Sequence, residues 1–243
     1  AGERKTGFSR FIKKAIAYRF GVNASSSGTA NLLVKAAALM LPRRICRRYR
    51  YLDGLKAGAR ILDVGAGSGQ FVRMMKGAGF SAEGVDLDEA AVVAANARGA
   101  QVQVGGVDAS HLDGQLFDAV TFNHSFEHLD DPLVALDRAA ELLVPGGRIF
   151  IECPNAQALG RMGFGKFWRG YEAPRHYFLP SRHSLKSALA ERGFKEIRFK
   201  GSVGAGPSMY RSSIEFRGSS KLAGSSVVRW MARMLMKYEF LVP

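Results

Sequence analysis

The chain has 243 residues, of which 47% are hydrophobic and 23% charged, and a net charge of +14. This length suits one large α/β domain or a domain with extensions. Cys46 and Cys153 form neither a disulfide framework nor a metal-ligand spacing, and no apolar run reaches the ~18 residues that a membrane span needs. With no secretory signal pattern at the start, we expect a soluble, cytoplasmic protein, and contact with the inner membrane face stays open.

The positive charge is concentrated in the first quarter of the chain. Residues 1–60 contain fourteen Lys or Arg and two Asp or Glu, a net charge of +12, whereas the other 183 residues carry only +2. Residues 8–20 place phenylalanine and isoleucine on one helical face and lysine off it, and a second helix is expected over residues 30–41, before Pro42. Three roles stay open for this basic segment: a lid over a ligand pocket, a helix on an anionic membrane surface, or an RNA-binding arm.

From Arg60 onward the sequence alternates between short apolar runs and helical spacing. The runs predict five strands, at RILDV, AEGVDLD, AQVQVGGVDA, the stretch that begins near Asp118, and RIFIECPN. Helices are predicted between several of these strands, with Asp88 and Asp131 as N-caps and Pro132 in the first helical position. The alternation predicts an α/β fold in which helices cover both faces of a parallel sheet.

Beyond Asn155 this alternation ends. A loop rich in glycine and aromatic residues is predicted over 156–180, followed by a helix at 182–193 that Ser181 caps. Two further strands, FKEIRFKG and MYRSSIEFR, are expected before an amphipathic, methionine-rich tail.

A glycine loop, DVGAGSG, directly follows the first predicted strand. Gly65, Gly67 and Gly69 allow a tight turn and let a ligand approach the main chain, at the sheet edge where α/β proteins bind ligands. The G-x-G-x-G spacing is one residue short of the dinucleotide motif, and no lysine follows as in a P-loop. The loop therefore indicates a nucleotide-like ligand, with a plain strand–helix turn as the alternative.

Carboxylates end the next two strands. Asp86 ends the second strand, where it can accept hydrogen bonds from both hydroxyls of a ribose. Asp108 ends the third strand, within reach of an adenine amino group. A glycine loop and two such carboxylates, in this order, favour a ligand that contains adenosine.

With these residues the chain resembles the class I S-adenosylmethionine-dependent methyltransferases. The resemblance rests on ILDVGAGSGQF, GVDLD, VDA, FDAVTFNHSFEHLDDP and LVPGGRIFIECPN, in order and at normal spacing. It implies a doubly wound, Rossmann-like sheet of seven mostly parallel strands with an antiparallel last strand. It also implies a basic helical extension at 1–59 and a methyltransferase domain at 60–243, with a substrate loop at 154–180 and a helical C-terminal tail.

The resemblance implies S-adenosylmethionine as cofactor and S-adenosylhomocysteine as product. Gly65 and Gly67 would face the methionine portion, Asp63 would orient the loop or hold the amino group through water, and Asp86 would bind the ribose. Leu87 would pack on the adenine. The implied cofactor-binding residues are Asp63, Gly65, Ala66, Gly67, Gln70, Phe71, Asp86, Leu87, Asp108, Ala109 and Asn123.

Three histidines are the candidate catalytic residues, because histidine is the natural base near neutral pH. His124 and His128 flank the exit of the fourth strand, and Glu127-His128 matches a Glu-His pair that is frequent in the family. His176 is the last residue of a Trp…Pro-Arg-His pattern. This pattern is typical of a bacterial subgroup that is similar to the quinone-type O-methyltransferases. The candidate substrate-binding residues are Trp168, Tyr171, Arg175 and Tyr177. The alternatives are structural histidines, and an Arg175 that merely pairs with Glu172.

We therefore predict methyl transfer to a hydroxyl of a small or lipid-linked, glycan-like or quinone-like acceptor. Without the acidic and amide residues that metal-dependent catechol enzymes use, no metal is expected. Without an N/D-P-P-Y/F motif after the fourth strand, nucleic acid is a less favoured partner. An RNA-directed or N-directed methyltransferase and a non-catalytic cofactor-binding scaffold remain as alternatives.

Overall fold

A computed structural model describes most of the chain beyond its N-terminal segment. The described residues are 15, 36, 50, 52, 55–199, 206–218 and 240–241. Ala15 and Ala36 are helical, but the predicted N-terminal helices otherwise lie outside the described residues, as does most of the predicted C-terminal tail. Within the described ranges, no helix is long and apolar enough to cross a membrane.

The described strands form one sheet with the order β3-β2-β1-β4-β5-β6. They are β1 Arg60–Val64, β2 Ser81–Asp86, β3 Val102–Val104, β4 Phe117–Asn123, β5 Leu143–Pro154 and β6 Phe240–Leu241. β1 pairs with β2 and β2 with β3 in parallel, and β6 pairs with β5 in the antiparallel direction. Four of the five residues of β1 are buried, as its near-continuous apolar run predicts for an inner parallel strand.

Side-chain caps fix the starts of three helices as predicted. The described α-helices are α1 Gln70–Gly77, α2 Glu89–Ala97, α3 Pro132–Glu141, α4 Leu159–Phe164, α5 Arg182–Glu191 and α6 Gly206–Phe216. Asp88 accepts hydrogen bonds from the first backbone N–H groups of α2, and Asp131 does the same for α3. Ser181 and Ser184 form a reciprocal capping box at the start of α5.

The chain divides into two compact units. The first unit contains residues 1–121 and 141–149, and the second contains residues 122–140 and 150–243. The first unit has a core of fully buried apolar side chains, including Ile61, Val72, Met75 and Ala95. In the second unit, Phe126 packs edge-to-face on Phe122 and on Phe178, with ring centroids 5.6 and 5.4 Å apart. The predicted boundary at residue 59 stays a prediction, because few residues before it are described.

The α/β fold with a parallel sheet is confirmed, but the two predicted closing strands are wrong. Residues 194–199 form no strand, and residues 209–217 lie almost entirely in α6. A helix lets Ser213 donate to the backbone oxygen of Met209, four residues earlier, at 2.8 Å. It also brings Arg211 within 3.4 Å of Glu215 on the next turn.

The predicted loop at 156–180 contains more structure than expected. It holds α4 and two single 3₁₀ turns, Gly165–Phe167 and Arg169–Tyr171. Trp168 connects the two turns and is 2% exposed. This buried ring anchors a segment that the sequence alone presented as irregular.

Candidate active site

The glycine loop belongs to the first unit and follows β1. Gly65, Gly67 and Gly69 have φ angles of 74°, 50° and 64°, in the left-handed region that disfavours a side chain. The N–H groups of Gly65 and Ala66 both donate to the backbone oxygen of Val85, at 2.9 and 3.0 Å, which ties the loop to β2. A Cβ on Gly69 would lie 2.4 Å from that of Ala100, so this position also has no room for one.

Asp86 holds the same loop from the end of β2. Its Oδ2 accepts from the N–H of Gly67 at 2.6 Å, and its Oδ1 accepts from the N–H of Asp88 at 3.0 Å. Beside it, the apolar side chain of Leu87 is 77% exposed. The carboxylate keeps lone pairs for ribose hydroxyls, and an adenine ring would cover the exposed leucine. These features fit the cofactor that the sequence implies.

The other implied cofactor residues take different positions. Gln70 and Asp108 are exposed and Ala109 is half-buried, whereas Ala66 and Phe71 are buried. The N–H of Gly105 donates to the backbone oxygen of Asp86 at 3.0 Å, which brings the exit of β3 to the end of β2. Asn123, the last residue of β4, is half-buried and belongs to the second unit.

Asp63 is 2% exposed, and its carboxylate is bound within the protein. Arg50 forms an ion pair with it, and Thr121 donates to its Oδ1 at 2.9 Å. The guanidinium of Arg50 lies 3.5 Å from the ring centroid of Phe71. Burial raises the pKa of Asp63, and Arg50 and Thr121 act in the opposite direction. These contacts join the carboxylate to Arg50 and Thr121 and not to the glycine loop, so both predicted roles of Asp63 stay predictions.

Removing Arg50 should destabilise the protein. In Arg50→Met, the carboxylate of Asp63 stays buried without its cation, which costs about 3–5 kcal/mol of the free energy of unfolding. Urea unfolding measures the loss. The deficit should shrink in the Arg50→Met/Asp63→Asn double variant, which buries no charge. It should also shrink as the pH falls towards 3.8, the ordinary pKa, because losing Arg50 removes a cause that lowers the pKa of Asp63, so the carboxyl of the variant is neutralised first. Equal deficits in both variants at all pH values would contradict this role of Asp63.

The second unit contains a cavity of about 410 Å³ lined mainly by polar side chains. The lining side chains that matter here are those of His124, Glu127, His128, Arg169, Glu172, Arg175 and His176. All three predicted catalytic histidines therefore lie around one cavity. His176 also lines an adjoining cavity of about 660 Å³, together with Tyr171, Tyr177 and Phe178.

Backbone carbonyls fix the rings of two of these histidines. Nδ1 of His176 lies 2.8 Å from the oxygen of Gly170, and Nδ1 of His128 lies 2.6 Å from the oxygen of Arg175. Because a carbonyl oxygen only accepts, each Nδ1 carries the hydrogen, and each neutral ring keeps a lone pair on Nε2. The two ring centroids are 4.9 Å apart.

Glu127 is buried at the centre of the histidine cluster, with 1% exposure. Its Oε1 lies 3.5 Å from Nδ1 of His124 and 4.0 Å from Nε2 of His176. Its Oε2 has no hydrogen-bond partner among the described residues. The N–H of Tyr177 donates to the backbone oxygen of Glu127 at 3.0 Å, which fixes the substrate loop to the 3₁₀ turn Phe126–His128 after β4.

Arg175 pairs with Glu172, the alternative that the sequence left open. The carboxylate of Glu172 lies 2.7 Å from Nη1 of Arg175 and 2.5 Å from Nη1 of Arg169. The hydrogen bond from Arg169 is the main reason that the pKa of Glu172 is lowered. Oε2 of Glu172 also lies 3.6 Å from Nε2 of His176.

Two predicted substrate-binding aromatic residues take different positions. Trp168 is buried, so we assign it a supporting role: its ring packs edge-to-face on Tyr171, and a Cβ on Gly170 would lie 2.3 Å from it. Tyr177 is 63% exposed and lines the larger cavity.

Sequence reasoning missed two charged residues near the histidines, Glu152 and Arg169. Glu152 is 3% exposed, and its Oε1 lies 3.8 Å from Nε2 of His124. The signal was an acidic residue inside the apolar run of β5, since Glu is rarely buried without a partner. Arg169 gave no comparable signal, because charged residues are common in loops.

The glycine loop after β1 and the carboxylate at the end of β2 fit the cofactor site of a class I, S-adenosylmethionine-dependent methyltransferase. Residues 38–198, about two thirds of the chain, match the family described as a methyltransferase domain. The chain belongs to this methyltransferase family, which uses S-adenosylmethionine as methyl donor.

Curated relatives share part of the chain. A ubiquinone biosynthesis O-methyltransferase of Alkalilimnicola ehrlichii is 32% identical over 121 residues, covering 47% of this chain and 49% of that protein. The O-methyltransferase resE of Aspergillus sclerotiorum is 31% identical over 159 residues, covering 59% of this chain and 57% of that protein. The chain thus spans about half the length of the curated relatives that it matches.

Solved structures share the fold. A SAM-dependent methyltransferase from Archaeoglobus fulgidus has a TM-score of 0.56 at 22% identity, over 86% of this chain and 91% of that one. Mycolic acid cyclopropane synthase CmaA1, complexed with SAH and CTAB, has a TM-score of 0.57 at 16% identity, over 96% and 93%. At these identities the likeness shows the fold alone.

Proposed function

We propose that the protein transfers a methyl group from S-adenosylmethionine to a hydroxyl of a small or lipid-linked, quinone-like acceptor. The observation that carries this proposal is the cavity of the second unit, where three histidines surround a buried glutamate. Such a cluster can take a proton from a hydroxyl near neutral pH. The names of the ubiquinone biosynthesis relatives support a quinone-like ring as acceptor.

The first unit would hold the cofactor. When bound, S-adenosylmethionine supplies an electrophilic methyl group on a sulfonium. The main chain of Gly65 and Gly67 would approach its methionine portion, and Asp86 would accept hydrogen bonds from the ribose. Leu87 would cover the adenine. Binding and orientation of this kind lower the barrier by removing the entropy cost of an encounter.

The second unit would hold the acceptor and move its proton. His176 is the residue best placed as base, because Gly170 fixes its Nδ1–H and leaves Nε2 free to accept. The side chain is only 7% exposed, so bulk water does not compete strongly for that nitrogen. The acceptor oxygen would take the methyl group as its proton passes to Nε2. Glu127 and Glu172, at 4.0 and 3.6 Å, would then stabilise the charged ring.

A panel of acceptors tests the proposal. Purified protein and S-adenosylmethionine are incubated with a hydroxylated benzoquinol, its O-methylated analogue, an aromatic amine or an RNA, and S-adenosylhomocysteine is measured. We expect turnover with the free hydroxyl only. Turnover with the amine or the RNA, and none with the hydroxyl, would overturn the proposal. Cofactor binding without turnover of any acceptor would instead favour the non-catalytic cofactor-binding scaffold, and absence of cofactor binding would reject the enzyme.

A further inference from the structure

We propose that Glu127, His128 and His176 bind one divalent metal ion of the zinc class. One ligand atom from each of these residues lies within 4.8 Å of the other two. They come from two segments of the second unit, the 3₁₀ turn after β4 and the substrate loop. This inference deepens the proposed function, because the same cavity would receive the acceptor.

Both histidines are held in the form that binds a metal. A metal-ligating histidine usually donates its second ring N–H to a carbonyl or carboxylate, which fixes the tautomer and the ring orientation. His128 and His176 meet this condition through the backbone oxygens of Arg175 and Gly170. Their Nε2 atoms are therefore the free ligand positions. Within the described residues, neither Nε2 accepts a hydrogen bond from the protein.

Glu127 provides the second, independent observation. Its Oε2 is buried and has no hydrogen-bond partner among the described residues. A carboxylate oxygen without a partner is costly inside a protein, so such an atom calls for an explanation. A cation between Glu127 and the two Nε2 atoms would satisfy it. Tetrahedral zinc would bring the three ligand atoms to about 3.3 Å from one another, from bond lengths near 2.0–2.1 Å.

The ligand set selects the class of metal. Two imidazole nitrogens and one carboxylate oxygen suit zinc or cobalt, whereas magnesium and calcium prefer oxygen ligands. The sequence predicted no metal because the acidic and amide ligands of metal-dependent catechol enzymes are missing. A site with two histidines and one glutamate is of a different type, so that reasoning does not apply to it. The neighbouring Glu172 is already bound by Arg169 and Arg175, so we assign it no ligand role.

Three protein ligands leave one tetrahedral position open for the acceptor. A hydroxyl bound there would lose its proton more readily, because the cation stabilises the resulting oxyanion. The proton would pass to water, the oxygen would take the methyl group, and both histidines would stay neutral as ligands. In the metal-bound protein the cation would thus activate the hydroxyl, whereas Nε2 of His176 is the base in the metal-free protein; the reaction itself is the same in both.

Metal binding can be measured without any activity. The full chain is treated with a chelator, dialysed, and titrated with Co²⁺ while its visible absorption is recorded. Zinc content after equilibrium dialysis is measured by mass spectrometry. We expect one ion per chain, with the intense visible bands of tetrahedral cobalt and without a thiolate charge-transfer band. Cys153 should not contribute, because burial raises the pKa of its thiol.

Each proposed ligand is replaced with glutamine, and the control is a glutamine substitution at a histidine outside the site. His128→Gln and His176→Gln should each weaken zinc binding at least tenfold, and Glu127→Gln should do the same while keeping the side-chain shape. His183→Gln, on the exposed first turn of α5, should bind like the wild type. Circular dichroism confirms that each variant is folded.

Three results would overturn the inference. The first is that the wild type binds no stoichiometric metal ion. The second is that a folded His128→Gln/His176→Gln variant binds the metal as tightly as the wild type. The third is a thiolate charge-transfer band in the cobalt spectrum. The proposed function has a separate readout: bound metal without methyl transfer would reject the function and keep the site. Methyl transfer by metal-free protein would keep the function and remove the metal from its mechanism.

Discussion

Replacing Asp86 with alanine should weaken the binding of S-adenosylmethionine by about two to four orders of magnitude. Each hydrogen bond between the carboxylate and a ribose hydroxyl contributes about 1.5–3 kcal/mol, and tenfold in affinity corresponds to about 1.4 kcal/mol. The variant also frees the N–H of Gly67, which Asp86 holds at 2.6 Å. Isothermal titration calorimetry with S-adenosylmethionine and S-adenosylhomocysteine measures both losses together.

Two further variants separate charge from loop geometry. Asp86→Asn keeps one oxygen acceptor for the loop but loses the charge, so it should bind with intermediate affinity. Asp130→Ala removes an exposed aspartate of the second unit and should bind like the wild type. Wild-type affinity in a folded Asp86→Ala variant would contradict the assignment of the ribose to Asp86.

His176→Ala should lower kcat by about two to four orders of magnitude, the usual contribution of a general base. Its affinity for the cofactor should stay close to that of the wild type, because the main cofactor contacts are assigned to the loop after β1 and to the end of β2. Steady-state kinetics with the hydroxylated acceptor and calorimetry with the cofactor give the two quantities separately. A loss of metal from the proposed cation site would lower kcat in the same direction.

The control for this prediction is His183→Ala, which removes an exposed histidine from the same stretch of chain. It should keep wild-type kcat. Thermal unfolding tests whether loss of the hydrogen bond between His176 and Gly170 merely destabilises the loop. A folded His176→Ala variant with wild-type kcat would exclude a catalytic role. A variant that loses cofactor affinity as strongly as Asp86→Ala would show that His176 serves the cofactor instead.

The first unit was predictable because its signals are local. The run RILDV, the glycines after it and the cap at Asp88 each specify backbone conformation within a few residues, and the structure confirms β1, the left-handed glycines and the start of α2. The buried pair of Arg50 and Asp63 was not predictable, because its partners are thirteen residues apart and no local pattern joins them.

The second unit was less predictable because its contacts are distant in sequence. The residues of MYRSSIEFR suit a strand by their alternation and a helix by their pairs four apart. The structure has the helix α6, in which Tyr210 packs edge-to-face on Phe164. The histidines could be named from the sequence, but their convergence could not. His128 and His176 are forty-eight residues apart and meet only through the turn after β4 and the substrate loop.

The location of the transferred methyl carbon tests the central claim most directly. The protein is supplied with S-adenosylmethionine labelled with ¹³C in its methyl group and with the hydroxylated benzoquinol, and the product is analysed by NMR and mass spectrometry. The account predicts one labelled methyl group bound to oxygen, formed in equal amount with S-adenosylhomocysteine. A label bound to nitrogen or carbon, or one that stays in the cofactor while the acceptor is unchanged, would contradict it.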